Sequence, residues 1–257
     1  MILDDIVKVK RREVAERKQT TSLSALTAAI GGMPPTRDFR RAIGGGGCSI
    51  IAEVKRRSPS RGIIREDFDP VRIAGEYERH GAAAVSVLTD ETFFGGSNRD
   101  LTVVKSAISL PVLRKEFIID LWQIHETRAI GADALLLIAA ILEENQLREY
   151  REIAASLGLA SLVEVHDRTE LEKVLSSGAE IIGINNRDLR TFTTDIGTSL
   201  TFAPLVPTDR IIVSESGIHS RVQIEILMKA GVRTFLIGET LVASPEIGMT
   251  LRGLLNA

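Results

Sequence analysis

Ser49-Ile50-Ile51-Ala52-Glu53-Val54-Lys55 is an apolar run, rich in β-branched residues, that ends in charge. Continuous apolar character marks a strand buried on both faces, the situation of a parallel sheet covered by helices. Runs of the same kind recur at Ala84 to Leu88, Pro111 to Leu113, Ala134 to Ile138, Ser161 to Val165, Ile181 to Ile184, Ile211 to Val213 and Thr234 to Ile237. Between them, helical periodicity runs over Val71 to His80, Leu121 to Ile130, Leu147 to Leu157, Leu171 to Ser177 and Val222 to Ala230. Strands alternating with amphipathic helices are βα units. Gly81, Gly131, Gly178 and Gly231 each fall just after a helix and before a strand. That placement suits the left-handed turn that ends a helix. Eight such units in 257 residues with 44% hydrophobic content predict an α/β chain folded as one (β/α)8 TIM barrel. An open doubly wound sheet would carry its glycine-rich turn after the first strand. Here Gly44 to Gly47 comes before it and reads as a lead-in.

The whole chain, 1–257, reads as a single domain with 1–45 as an N-terminal helical extension. Met1 to Gln19 has a helical pattern with Ile2, Ile6 and Val9 on one side, and Leu23 to Ile30 reads as a second helix, broken by Pro34-Pro35. An apolar stripe must dock on something. The extension is expected to lie across the C-terminal mouth of the barrel, with Lys8, Lys10, Arg11 and Arg12 near an anionic substrate.

Composition excludes several function classes. Charged residues make up 26% and the net charge is -2, with no basic stripe for nucleic acid. No apolar run approaches the roughly 20 residues that span a membrane, and Met1 to Lys18 is too charged for the apolar centre of a signal peptide. Cys48 is alone, which leaves no disulfide and no multi-cysteine metal site. It reads as a small buried residue at a strand start. His80, His125, His166 and His219 lack metal-ligand spacing and read as surface or helix-end residues. The expectation is a cytoplasmic, soluble protein with no metal and no obligate protein partner.

In a barrel, chemistry gathers where strands end and βα loops begin. Side chains alternate along a strand, so Ile51, Glu53 and Lys55 point to one side, into the barrel. A carboxylate there is costly unless paired, and Lys55 is placed to pair with it. Lys115 ends the third strand and Phe117 follows it. Glu164 interrupts the fifth, Asn185 and Arg187 end the sixth, and Glu215 ends the seventh. Several buried-looking acids and bases converging on one face are hard to explain structurally, and lysine–glutamate pairs supply acids and bases without a metal. Ser216-Gly217 and Gly238-Glu239, after the last two strands, offer small residues and backbone N–H groups at helix starts, the usual phosphate site of a barrel. Glu239 is the misfit there. A carboxylate beside a phosphate is repulsive, so its side chain is expected to point away.

Six segments, Ile51 to Gly62, Leu88 to Ser97, Leu113 to Ile118, Leu162 to His166, Gly183 to Leu189 and Ser214 to Ile218, resemble the signatures of the indole-3-glycerol phosphate synthase family, in the family's order. The resemblance implies conversion of 1-(2-carboxyphenylamino)-1-deoxyribulose 5-phosphate into indole-3-glycerol phosphate, in tryptophan biosynthesis, with no cofactor. It also implies roles. Lys115 is the general acid at the carbonyl, and Glu164 the acid/base partner in dehydration. Glu53 and Lys55 form a pair, with Lys55 also reaching the substrate. Glu215 supports the lysines. Asn185, Arg187 and Ser58 hold the substrate, and Ser216, Gly217 and Gly238, with Lys55, hold the phosphate. Phe94 and Phe117 would wall the anthranilate ring. Two rivals stay open at this point. Another phosphosugar barrel, such as phosphoribosylanthranilate isomerase, would not need the lysine array. A non-catalytic phosphate-ligand sensor would not need Glu53, Lys115 and Glu164 together.

Overall fold

Eight parallel strands close on themselves in chain order in the computed structural model, which describes residues 2–188 and 191–256. They are β1 (Ser49–Val54), β2 (Ala84–Leu88), β3 (Val112–Lys115), β4 (Ala134–Ile138), β5 (Ala160–Val165), β6 (Ile181–Asn185), β7 (Ile211–Glu215) and β8 (Thr234–Ile237). The ring is closed through β1, where Ile51 lies opposite Ala84 on one side and Leu236 on the other. The expected barrel is therefore the observed one. β3 and β7 each run two residues beyond the apolar segment that predicts them, because the ladder continues through the charged tips: Leu88 pairs with Lys115, and Asn185 with Glu215.

The helices are α1 (Ile2–Thr20), α2 (Leu23–Ile30), α3 (Phe39–Ile43), α4 (Pro70–Arg79), α5 (Asn98–Ala107), α6 (Leu121–Ala129), α7 (Glu144–Ser156), α8 (Arg168–Ser176), α9 (Gly197–Phe202), α10 (Arg221–Lys229), α11 (Glu239–Val242) and α12 (Ile247–Leu255). Side chains of Asp69, Ser97, Asp120, Asp167 and Ser220 cap α4, α5, α6, α8 and α10, so these five βα loops each end in a residue that satisfies N–H groups of the helix it starts. The four repeated glycines have φ of +92°, +93°, +80° and +92°, the left-handed turn their positions require. Cys48 is half-buried just before β1.

Alternation sorts each strand into two cores. Ile50, Ala52, Val85, Val87, Leu135, Leu137, Ile182 and Ile184 face outward to the helices. Ile51, Ala84, Leu113, Ala134, Leu136, Leu162, Ile181, Val213 and Leu236 fill the barrel interior. Phe39 and Ile43 of α3 join that interior cluster, and the Ile43 carbonyl accepts from Thr234 at the start of β8, so α3 closes the N-terminal end of the barrel. The extension therefore divides, contrary to the expectation that all of it covers the mouth: its last turn plugs the bottom, whereas Ile2, Leu3 and Ile6 of α1 line the cavity at the opposite end. The buried stripe of α1 is Leu3, Ile6, Lys10 and Val14, shifted from the expected Ile2, Ile6 and Val9 because a lysine takes a core position.

Candidate active site

The C-terminal ends of the strands surround a cavity of about 380 Å³. Glu53, Lys55, Ser58, Phe94, Lys115, Phe117, Glu164, Asn185, Arg187, Glu215, Ser216, Gly217 and Gly238 all line it. Leu189, in the fifth of the sequence signatures, lies outside the described residues.

Glu53 on β1 and Lys55, one residue past its end, lean the same way, and Lys55 Nζ is 2.7 Å from Glu53 Oε1. The glycine that follows β8 makes room for this carboxylate: a Cβ on Gly238 would come 2.2 Å from Glu53 Oε1. Gly183 on β6 does the same for Glu215, whose Oε1 would lie 2.2 Å from an added Cβ. Two acids thus occupy the top of the barrel because their neighbours have no side chain.

Lys115 Nζ lies 3.4 Å from Glu164 Oε2 and 3.4 Å from Glu215 Oε2. Burial alone would favour the neutral amine, but Glu164, Glu215 and Glu53 overcome it and hold Lys115 above the usual lysine range. Burial likewise disfavours ionised Glu164, yet Lys115 and His166 hold it well below the carboxylate range. Glu53 is lowered against burial by Lys55 and Lys115. Glu215 goes the other way. Burial pushes it up, and with Glu164 and Glu53 close by, the pull of Lys115 is not enough to prevent a rise to about 8. Two carboxylates on one ammonium cannot both ionise cheaply, so the pair separates into a charged Glu164 and a neutral Glu215.

His166 leads into α8, as a helix-end residue would, but its ring is turned inward and not to the surface. It lies two residues beyond Glu164 on the same face, with Nε2 3.2 Å from Glu164 Oε1 and Nδ1 3.2 Å from Glu170 Oε2. Burial would lower it, but these two carboxylates raise it to about 10, so it is an imidazolium at neutral pH. The same alternation that assigns Glu53 and Lys55 would have found it.

Phe94 and Phe117 stand side by side with ring centroids 6.0 Å apart, an apolar wall on the β2–β3 side. Ser216 and Gly217 both have positive φ, +68° and +73°, and Asn186 fixes this turn by donating to Ser214 Oγ and the Ser216 carbonyl. The expected helix start is displaced here, since α10 is capped four residues after Ser216, at Ser220. Gly238 does precede a helix, as the N-cap of α11. On the β6 loop the Asn185 carboxamide accepts from Arg187 N, and Ser58 sits in a two-residue hairpin, Arg57–Ser58 against Gly62–Ile63.

Two expectations fail at the rim. Glu239 does not turn away. It lines the cavity and pairs with Arg61 at 2.8 Å and Arg187 at 3.7 Å, the loop arginines giving it cationic partners that the sequence order hides. Lys8, Arg11 and Arg12 are exposed, Lys10 is buried, and none of the four lines the cavity, because α1 turns its apolar side to it.

The sequence model of the indole-3-glycerol phosphate synthase family matches residues 3–254, nearly the whole chain. This chain belongs to the indole-3-glycerol phosphate synthase family. It is 46% identical to the indole-3-glycerol phosphate synthase of Alkaliphilus metalliredigens over 255 residues, covering 99% of this chain and 98% of that one. With the Burkholderia vietnamiensis enzyme of the same name it shares 49% over 257 residues, 97% of each. Among solved structures, thiamine phosphate pyrophosphorylase from Pyrococcus furiosus superposes with a TM-score of 0.62 at 14% identity, over 84% of this chain and 96% of that chain, a likeness of fold alone. Among the described residues no helix is long and apolar enough to cross a membrane.

Proposed function

We propose that the cavity catalyses the reaction of its family, closure of an indole ring with loss of CO₂ and water from 1-(2-carboxyphenylamino)-1-deoxyribulose 5-phosphate, as a cytoplasmic step of tryptophan biosynthesis. The observation that carries this reading is a largely buried ammonium, Lys115, held between Glu164 and Glu215, with an aromatic wall on one side and the β7 and β8 loops on the other. Neither the isomerase nor the sensor reading needs that combination.

In this reading the phosphate rests on the turn at Ser216 and Gly217 and on Gly238, beside Lys55. The first N–H groups of α11 have no partner within the helix and face an anion well. The anthranilate ring lies against Phe94 and Phe117, which sets the ribulose carbonyl in front of Lys115. The ring carbon bearing the carboxylate attacks that carbonyl, and Lys115 protonates the oxygen as charge develops on it. An alkoxide is far more basic than an amine, so a lysine raised above its usual range still gives up its proton. CO₂ then leaves and restores aromaticity. Finally the new hydroxyl departs and a proton leaves the adjacent methylene carbon, for which ionised Glu164 is the base. Ser58, Asn185 and Arg187 orient the carboxylate and hydroxyls. Incubation with the carboxyphenylamino-deoxyribulose phosphate, followed by indole fluorescence and CO₂ release, tests the whole reading. Absence of both would leave the sensor, and conversion of the ketose into its aldose isomer without CO₂ would indicate an isomerase.

Two local predictions arise here. Gly217→Asp should raise KM roughly tenfold or more, since two like charges about 4 Å apart repel by about 1–4 kcal/mol in a partly wet site. Gly217→Asn carries the same left-handed backbone without the charge and should raise KM far less. Equal effects would remove the phosphate from this turn.

The second concerns Glu215. Its folded pKa lies above the ordinary 4.5, near 8. The folded state therefore binds the extra proton, and stability is lost as pH rises from about 4.5 to about 8. Ionisation also adds negative charge where an anionic substrate must enter. The kcat/KM profile should fall as pH rises through about 8, and Glu215→Gln should abolish that limb and raise Tm at pH 8 but not at pH 4. An alkaline limb unchanged in Glu215→Gln would assign it to another group.

A further inference from the structure

Lys10 is the one lysine of α1 inside the protein, 1% exposed. Its Nζ meets Glu13 Oε2 at 2.6 Å, Asp90 Oδ2 at 3.0 Å and Glu116 Oε1 at 3.0 Å. Docking α1 does not need this charge. Leu3, Ile6 and Val14 on the same stripe dock by apolar burial, and replacing buried ions with apolar residues is often neutral or stabilising.

What the carboxylates hold gives the ammonium a purpose. Asp90 follows β2, and its Oδ1 accepts from the backbone N–H groups of Phe93 and Phe94, at 2.7 and 3.1 Å. Glu116 follows Lys115, and its carboxylate accepts from Phe117 N at 2.9 Å and from Thr89 Oγ1 at 2.8 Å. Each acid therefore fixes the backbone of one phenylalanine of the wall, and Lys10 joins the two acids. Without it, two buried carboxylates would face each other across the gap and repel. We propose that Lys10 is a positioning residue that sets the spacing of Phe94 and Phe117, and so the slot for the aromatic ring of the substrate, from the N-terminal helix.

The proposal rests on reading those rings as the wall of the substrate's aromatic group, and its test separates the two ideas. Indole-3-glycerol phosphate and glycerol 3-phosphate share the phosphate, but only the first carries a ring. In Lys10→Met, verified as folded by circular dichroism, the inhibition constant of indole-3-glycerol phosphate should rise about tenfold, the scale on which a misplaced contact is felt, while that of glycerol 3-phosphate stays within about twofold. A merely structural loss would weaken both. Asp90→Asn keeps the Oδ1 acceptor and the shape but weakens the ion contact, so it serves where Lys10→Met does not fold and should show the same selective loss at about threefold. Phe94→Ala is the control. If it leaves the indole ligand's affinity unchanged, the wall reading fails. If it weakens the indole ligand while neither Lys10→Met nor Asp90→Asn does so selectively, the positioning role of Lys10 is overturned.

Discussion

Lys115→Ala should lower kcat by roughly 10³-fold or more while KM changes little. A positioned general acid contributes about 10²–10⁴-fold, and loss of a preorganised cation opposite a developing oxyanion adds to it. In the proposed binding mode, substrate contacts are spread over the phosphate turn, the aromatic wall and the β6 loop, so ground-state affinity should survive. The alanine variant also leaves Glu164, Glu215 and Glu53 without their shared ammonium. These acids can take up protons, so the fold should persist near neutral pH at some cost in Tm. Lys115→Arg separates charge from chemistry. It restores a cation, and with it most of the lost Tm, yet the larger planar guanidinium cannot bring a proton to the point that Nζ holds. Near-normal kcat in either variant would remove Lys115 from proton transfer.

The barrel and the centre of its site are legible in the chain because both follow from alternation. A strand buried on two faces reads as an apolar run, and a charge breaking that run at its C-terminal end reads as an inward group. Glu53, Lys55, Lys115, Glu164 and Glu215 are all of this kind, and the structure brings them into one cavity. His166 obeys the same rule but falls one step past its strand, where histidine also suits a helix lead-in. Lys10, Asp90 and Glu116 were not legible as a group. Their meeting joins α1 to two loops about 80 and 106 residues away, and no local period carries such a contact. The lysine also sits where an amphipathic pattern leads one to expect solvent. The inward turn of Glu239 is hidden in the sequence for the same reason, since the Arg61 and Arg187 that receive it come from distant loops. The division of the extension was hidden too. Phe39 and Ile43 form only five residues of helix, α3, and their apolar pair gains meaning from the open barrel end beneath them.

Glu164→Gln should uncouple the two losses that the reaction combines. In the proposed mechanism, ring closure and decarboxylation depend on Lys115 and on the leaving CO₂, and neither needs a carboxylate base at Glu164. Dehydration does, because a carbon-bound proton must leave with the hydroxyl. The glutamine keeps shape and hydrogen-bonding reach but neither accepts that proton nor carries the charge that His166 and Lys115 face. In a single turnover, CO₂ should appear at close to the normal rate while indole fluorescence lags by roughly 10²–10⁴-fold, the range for a positioned acid or base. His166 and Glu170 remain and keep the imidazolium in place, so the effect reports on Glu164 itself. The loss should not be recovered by raising pH, since amide nitrogen has no proton to shed in the working range. If CO₂ release and fluorescence slow together, Glu164 acts at or before ring closure. Its contact with Lys115 would then mean that it tunes the acid and does not serve as the base.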